Sequence, residues 1–323
     1  MIKRLQTKFW FLAIIVCISL NFSVYYHDDI SRRIKQDPIV ILHSRYPQIA
    51  RWIESVLVNS EVQNRIAEII LTASPYWHKD ENGEISWQAV ATLLALGKGV
   101  IAGHPQADQI LSAIENLSDS YYLDEILARI YSGDKGERRG ATAELLNLNF
   151  LKNNGIKING REYDVEVLAA SISFTRRITL GKKQYDGLVL LTDRKTGQKI
   201  YAVVSSKNKN GLNSPNIKTL IGNFKKDLKR LLKLDERYYY FSSPVPGVPE
   251  FSQLHILYLI STYGVKREEV DSAINEINDW IVTLPSEQKN KVVGVGFCSI
   301  DKSLLSYMMG PFFGISHSLL PPF

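Results

Sequence analysis

The feature that most constrains this chain is a change of pattern at Ser132-Gly133-Asp134. Before it, from about Ile39 to Tyr131, apolar residues recur at helical spacing, as in Ile49, Ile53, Val56 and Leu57, then Ile66, Ile69 and Ile70. After it come a helix, several strand-like runs, a basic helix and an aromatic strand. A chain that switches period in this way is neither all-helical nor all-β. The predicted fold class is α+β with an α/β core, divided into a helical domain over 36–132 and a mixed domain over 134–323. In the first, Pro75 and the polar turn from Lys79 to Glu84 separate helices, and Ser86 caps the one that begins at Trp87. Asp80, Asn82 and Glu84 lack the length and spacing of a calcium loop and read as a solvated turn. Gly97-Lys98-Gly99 and Gly103 follow no strand and lack P-loop spacing, so they mark a helix end.

Residues 1–30 are a separate unit. Lys3, Arg4 and Lys8 precede the run from Phe9 to Tyr26, which is apolar apart from Ser19, Asn21 and Ser23. At about 18 residues it reaches the lower limit for crossing a bilayer and exceeds most signal-peptide cores. The expectation is a transmembrane anchor, a cleaved signal or a buried helix, taken in that order, and hence a chain anchored by one N-terminal helix or secreted. Basic residues flank the run equally, so the membrane side stays open. The 45% apolar and 22% charged composition over 323 residues excludes disordered, collagenous and multispan classes. Two cysteines, Cys17 and Cys298, exclude a disulfide framework.

The mixed region predicts a helix from about Glu137 to Asn153, stopped by Gly155. Strands follow at Asp164–Ser173, Tyr185–Leu191 and Lys199–Ser206, then a helix over Pro215–Leu234 capped by Asn213 or Ser214, and a strand at Tyr238–Phe241. Further helices are expected at Leu254–Ser261 and Glu268–Ile281, with a last strand at Val292–Cys298.

Chemistry-bearing residues fall at telling places in that order. Glu144 shares the apolar stripe of its helix with Ala141, Leu148 and Leu151, where a carboxylate is costly unless paired or bound to a metal. A small rotation of the helix, placing Glu144 beside Arg138 or Lys152, is the plain alternative. Asp186 opens a strand whose next residues, Leu188 to Leu191, are all apolar; an Asp-Gly pair there also reads as a turn. The strand Ile200 to Val204 ends in Ser205-Ser206-Lys207, and Ser205 and Lys207, two apart, share a face. An ammonium beside carboxylates can orient a water and steady the charge that develops on phosphorus.

The succession of a helix with Glu, a strand, an Asp-led strand, a hairpin partner ending in x-x-Lys, a helix and a strand resembles the PD-(D/E)XK nuclease superfamily, the restriction-endonuclease-like fold. The resemblance covers about Glu137 to Phe241 and rests on a short motif. It implies a mixed sheet flanked by helices and a divalent metal, Mg²⁺ before Mn²⁺ or Zn²⁺, held by Glu144 and Asp186. It further implies that Lys207 is the catalytic lysine. Ser205 departs from the pattern, standing where the family has a second strand carboxylate. That leaves a weaker or different metal, a substitute carboxylate such as Glu166, or an inactive protein that only binds.

Charge distribution supports the same reading. Lys207, Lys209, Lys218, Lys225, Lys226, Lys229, Arg230 and Lys233 face a single acid, Asp227, in a chain whose whole net charge is +6. The basic residues lie mostly opposite the apolar face of their helix, so Lys209, Lys218, Lys225, Lys226, Lys229 and Arg230 are expected on a phosphate backbone; a solvated cationic face is the plainer reading. Six scattered histidines make no paired metal motif, and no Gly-x-Ser-x-Gly elbow occurs. Tyr238 to Phe241 could stack bases but read as core. The expected function is a metal-dependent nuclease acting on nucleic acid, DNA foremost; its rival is a catalytically silent, membrane-tethered binding protein of the same fold. Oligomeric state is left open.

Overall fold

A computed structural model describes residues 37–177, 182–209, 212, 214–234, 237–242, 245–263, 265–310 and 313. The N-terminal run, Cys17 and the alternative cap Asn213 lie outside them. Among the described residues no helix is long and apolar enough to cross a membrane.

Among the described residues seven helices come first: α1 (Pro38–Arg45), α2 (Pro47–Val56), α3 (Ser60–Ala73), α4 (Trp87–Ile101), α5 (Pro105–Asn116), α6 (Leu123–Ser132) and α7 (Lys135–Asn154). Their ends follow local chemistry. Ser86 accepts the Ala89 N–H at the start of α4, and Asp134 accepts the Glu137 N–H at the start of α7. Gly155, at φ 64°, ends α7 where the helical pattern stops. The Asp80 carboxylate closes its own turn, Oδ1 accepting the N–H groups of both Asn82 and Glu84.

The rest is built on strands: β1 (Ile156–Ile158), β2 (Arg161–Ala169), β3 (Ile172–Arg176), β4 (Lys182–Tyr185), β5 (Gly187–Asp193) and β6 (Lys199–Lys209). Then follow α8 (Ser214–Leu231), β7 (Tyr239–Phe241), β8 (His255–Thr262), α9 (Arg267–Val282), α10 (Ser286–Lys289), β9 (Val292–Ser299) and α11 (Lys302–Met309). The main sheet runs β1-β2-β5-β6-β8-β9, antiparallel from β1 to β6 and parallel from β6 to β9. A smaller antiparallel sheet has the order β4-β3-β7. The fold is thus a mixed α+β one, with a mixed sheet flanked by helices.

Two differences from the sequence expectation have clear causes. Leu254–Ser261, expected as a helix, is the strand β8. It lies between parallel neighbours, and Ile256 to Thr262 are all buried, so its side chains show no alternation and the apolar run carries no strand signature. The run expected as one strand over Asp164–Ser173 is divided at Ala170-Ser171, where the chain leaves the main sheet for the small one.

Side chains of β6 alternate between two cores. Ala202 and Val204 face the layer of α7 and the earlier helices, while Val203 faces α8 and α9. The first core is continuous from Leu42 through α7 to Phe313, so the pattern change at Gly133 coincides with no gap in packing.

Candidate active site

The polar ends of three elements meet beside β6. Asp186 sits in the single bend residue between β4 and β5, and its own N–H is held by the Val204 carbonyl at 2.9 Å. The next residue is a glycine in a tight place: a Cβ on Gly187 would lie 2.8 Å from a methyl of Leu148 and 3.2 Å from the Ala169 carbonyl, so a larger residue would push Leu148 aside. That absent side chain lets α7 lie close on the sheet. Leu148 is one helical turn beyond Glu144, so the same approach brings the Glu144 and Asp186 carboxylates within electrostatic reach of each other.

Glu144 is neither rotated to the edge of its stripe nor paired with Arg138 or Lys152. Arg138 donates to the Ile130 carbonyl, and Lys152 bonds Asn116 and Asp119. The partner is Arg129, from α6 of the helical region. Its guanidinium meets the carboxylate with both forks, Nη1 to Oε2 at 2.7 Å and Nη2 to Oε1 at 3.0 Å, the bidentate geometry of a strong pair. Burial and the neighbouring Asp186 charge push the Glu144 carboxyl up to about 7, against the pull of Arg129. Burial likewise raises Asp186 above the usual carboxylate range, with Lys207 and the bonds from Ser206 opposing it.

On the other side of Asp186, Oδ2 accepts the Ser206 N–H at 2.6 Å and the Ser206 hydroxyl at 3.1 Å. Lys207 Nζ stands 4.0 Å from the same oxygen and donates to the Ser205 hydroxyl at 3.4 Å. Ser205, 2% exposed, donates in turn to Oδ2 of Asp227 at 2.7 Å. Asp227 lies 3.7 Å from Lys207 and accepts from Arg230 at 3.0 Å through Oδ1. Glu144, Asp186, Ser205 and Lys207 therefore come together, and two residues join them that the sequence reading did not single out: Arg129 and Asp227. Glu166, the suggested substitute carboxylate, is exposed on β2 opposite Leu190. The acid beside Ser205 is Asp227.

The sheet fixes α8 so that Asp227 arrives there. Tyr185 on β4 donates its hydroxyl to the carbonyl of Asp227 itself at 3.1 Å, and Tyr258 on β8 donates to that of Phe224 at 2.8 Å while stacking on the Phe224 ring. Both tyrosines are buried. Of the basic residues named from the sequence, Arg230 reaches the site and Lys225 lies over the Trp280 ring. Lys218, Lys226 and Lys229 are exposed on α8, and Lys209 is half-buried at the end of β6.

The donor chemistry suits a hard cation in one respect. Two desolvated carboxylates, with Asp186 raising the proton affinity of Glu144 and Asp227 raising that of Asp186, are what a bound dication relieves, and Asp186 Oδ1 takes no hydrogen bond among the described residues. In another respect it resists: Arg129 occupies both oxygens of Glu144, and no three His, Cys, Asp or Glu side chains among the described residues converge as a metal-holding group.

No protein-family model, no curated protein and no solved structure matches this chain.

Proposed function

We propose that this chain is a divalent-metal-dependent nuclease of PD-(D/E)XK type, hydrolysing phosphodiester bonds of nucleic acid and of DNA in particular. The observation that carries the reading is the meeting of a helix Glu, a strand-leading Asp and a strand-end Lys around one point beside β6. Asp186 and Glu144 would hold the cation, Mg²⁺ before Mn²⁺ or Zn²⁺. When bound, it supplies Lewis-acid stabilisation of the negative charge on the phosphate oxygens. The chain's own groups do the rest. Lys207 orients the attacking water and faces the charge that grows on phosphorus. Asp227 provides, from α8, the anionic oxygen that Ser205 lacks, and the Ser205 hydroxyl connects it to Lys207 by hydrogen bonds. With its proton committed to Asp227, the Ser205 oxygen is fixed as an acceptor toward the ammonium. The exposed lysines of α8 lie on the same helix as Asp227, a suitable place for the phosphate backbone.

The test is Asp186→Ala in the full chain. Cleavage of labelled DNA that depends on added magnesium or manganese should vanish, while undiminished cutting would remove the assignment. A second reading, a catalytically silent and membrane-tethered nucleic-acid-binding protein, draws on a specific observation. The three site carboxylates, Glu144, Asp186 and Asp227, already face three cations, Arg129, Lys207 and Arg230. Salt-sensitive binding without turnover across magnesium, manganese and zinc would select it.

A further inference from the structure

Tyr238 to Phe241 divides between two faces of the small sheet. Phe241 pairs with Phe174, and both pack against Phe251 within 5.1 Å between ring centroids, together with Tyr185, so the inner face is aromatic core. The outer face is different. Tyr240 lies directly across from Thr175, which lies across from Lys182, and Arg177 bonds the Tyr238 carbonyl at the end of the same ladder. Tyr238 is 47% and Tyr240 38% exposed. Among the described residues these are the only tyrosine, phenylalanine or tryptophan side chains left so open, Tyr240 on β7 and Tyr238 in the turn that leads into it. Each carries a cation on its ring: Arg177 is 5.4 Å from the centre of Tyr240 and Arg237 5.5 Å from that of Tyr238.

The small sheet also adjoins the candidate active site, because β4 leads from Lys182 to Tyr185 and straight into Asp186. On its inner side Lys183 lies 4.5 Å over the Tyr239 ring and donates to the carbonyl of Arg230, whose guanidinium holds Asp227. Open rings beside cations, on a sheet whose inner face is packed with aromatic side chains, match a polyanion whose bases are free to lie on them. A duplex offers such a surface its phosphates but keeps its bases stacked internally.

We propose that the outer face of the β4-β3-β7 sheet is a platform for single-stranded nucleic acid, with bases stacking on Tyr238 and Tyr240 and phosphates on Arg177 and Lys182, leading the strand toward Lys207. This names the substrate form for the nuclease reading above and rests on it. The platform sets the bases, and the exposed face of α8 then carries the backbone of the same strand.

The experiment measures binding of the full chain in neutral detergent with chelator present, so that cutting is silent, to a labelled oligothymidine and to a duplex of equal length. Wild type should prefer the single strand. Tyr238→Ala with Tyr240→Ala should weaken single-strand binding about 100-fold, at roughly tenfold per lost stack, while duplex binding moves less than about twofold. The double phenylalanine variant should bind as wild type. In parallel, irradiating wild type with a bromouracil-substituted oligonucleotide should crosslink Tyr238 or Tyr240, an outcome that needs no variant to fold. Unchanged single-strand affinity in the alanine variant, or crosslinks confined to α8, would overturn the proposal. So would a loss confined to vesicles of anionic lipid, which would mark a membrane surface instead. Adding magnesium separates the two claims: cutting that survives with no tyrosine dependence leaves the nuclease and removes the platform, and tyrosine-dependent binding without cutting does the reverse.

Discussion

Two polar side chains of helix α7, half-buried Glu144 and buried Asn147, stand three residues apart and are built on opposite principles. Asn147 is 1% exposed. It donates to the Ser261 hydroxyl at 3.2 Å and accepts the Cys298 thiol at 2.8 Å, linking α7 to β8 and β9 through neutral groups whose needs are met. Burial pushes the Cys298 thiol up to about 12, which leaves it a weak donor and a poor nucleophile. Glu144, three residues earlier on the same helix, is charged, faces another carboxylate and has its proton affinity raised toward neutrality even with a guanidinium clamped on it. A satisfied neutral cluster specifies packing, whereas a cluster of opposed charges stores electrostatic free energy that a ligand can release.

If that contrast is sound, substitutions on the charged side change chemistry and those on the neutral side change stability. The largest effect after Asp186 should come from Asp227→Asn, which keeps the Ser205 hydrogen bond but removes the charge. Metal-dependent cleavage should fall about 100-fold with little change in melting temperature, as single-turnover assays and thermal scans would show. Next is Arg129→Ala. Since a cation needs Glu144 ionised, cleavage or manganese binding in wild type should rise with pH through about 7. Arg129 pulls that pKa down, so its removal should move the rising limb to higher pH. A profile that stays in place would mean Arg129 does not tune the site. Asn147→Ala should do the reverse of Asp227→Asn: about 1–3 kcal/mol lost in denaturant unfolding, with cleavage by the folded fraction unchanged.

The smallest effect concerns a buried carboxylate remote from the chemistry. Asp124, in the first turn of α6, bonds His78 at 3.2 Å, and the His78 ring stacks on Tyr122. Burial lowers the His78 pKa, but Asp124 and Glu125 outweigh it and the net direction is upward. A histidine with a raised folded-state pKa stabilises fully below its ordinary value near 6.5 and loses that contribution as pH climbs through the folded value. The melting-temperature gap between wild type and His78→Gln should therefore be widest below about 6.5 and shrink above it. A gap independent of pH would show that the pair acts through packing.

How far the sequence alone reaches varies along the chain. The cap at Ser86 and the stop at Gly155 are short-range signals legible in the sequence, whereas the cap at Asp134 emerges only from the structure. The placement of Glu144 is legible as well, because a carboxylate among Ala141, Leu148 and Leu151 breaks a pattern. The same argument applies to Asp227, three beyond Phe224 and four before Leu231 on the apolar stripe of α8. There it was masked, because it stood out only as the one acid in a basic run. Arg129 had no such signal: its partner is on another helix, and no spacing in one helix reports a contact made by the next. β8 is hidden in the sequence for a related reason, since a strand buried on both faces has no period to detect.

The reach of Arg129 bears on how the molecule can be divided. A fragment begun at the pattern change would keep every residue named from the motif yet lose the guanidinium that neutralises one of them, together with half of the apolar layer beneath α7. Such a truncation would not be a smaller edition of the whole chain. It would expose Glu144 with an unmatched charge, and any activity, metal preference or pH optimum measured on it would belong to the excised piece.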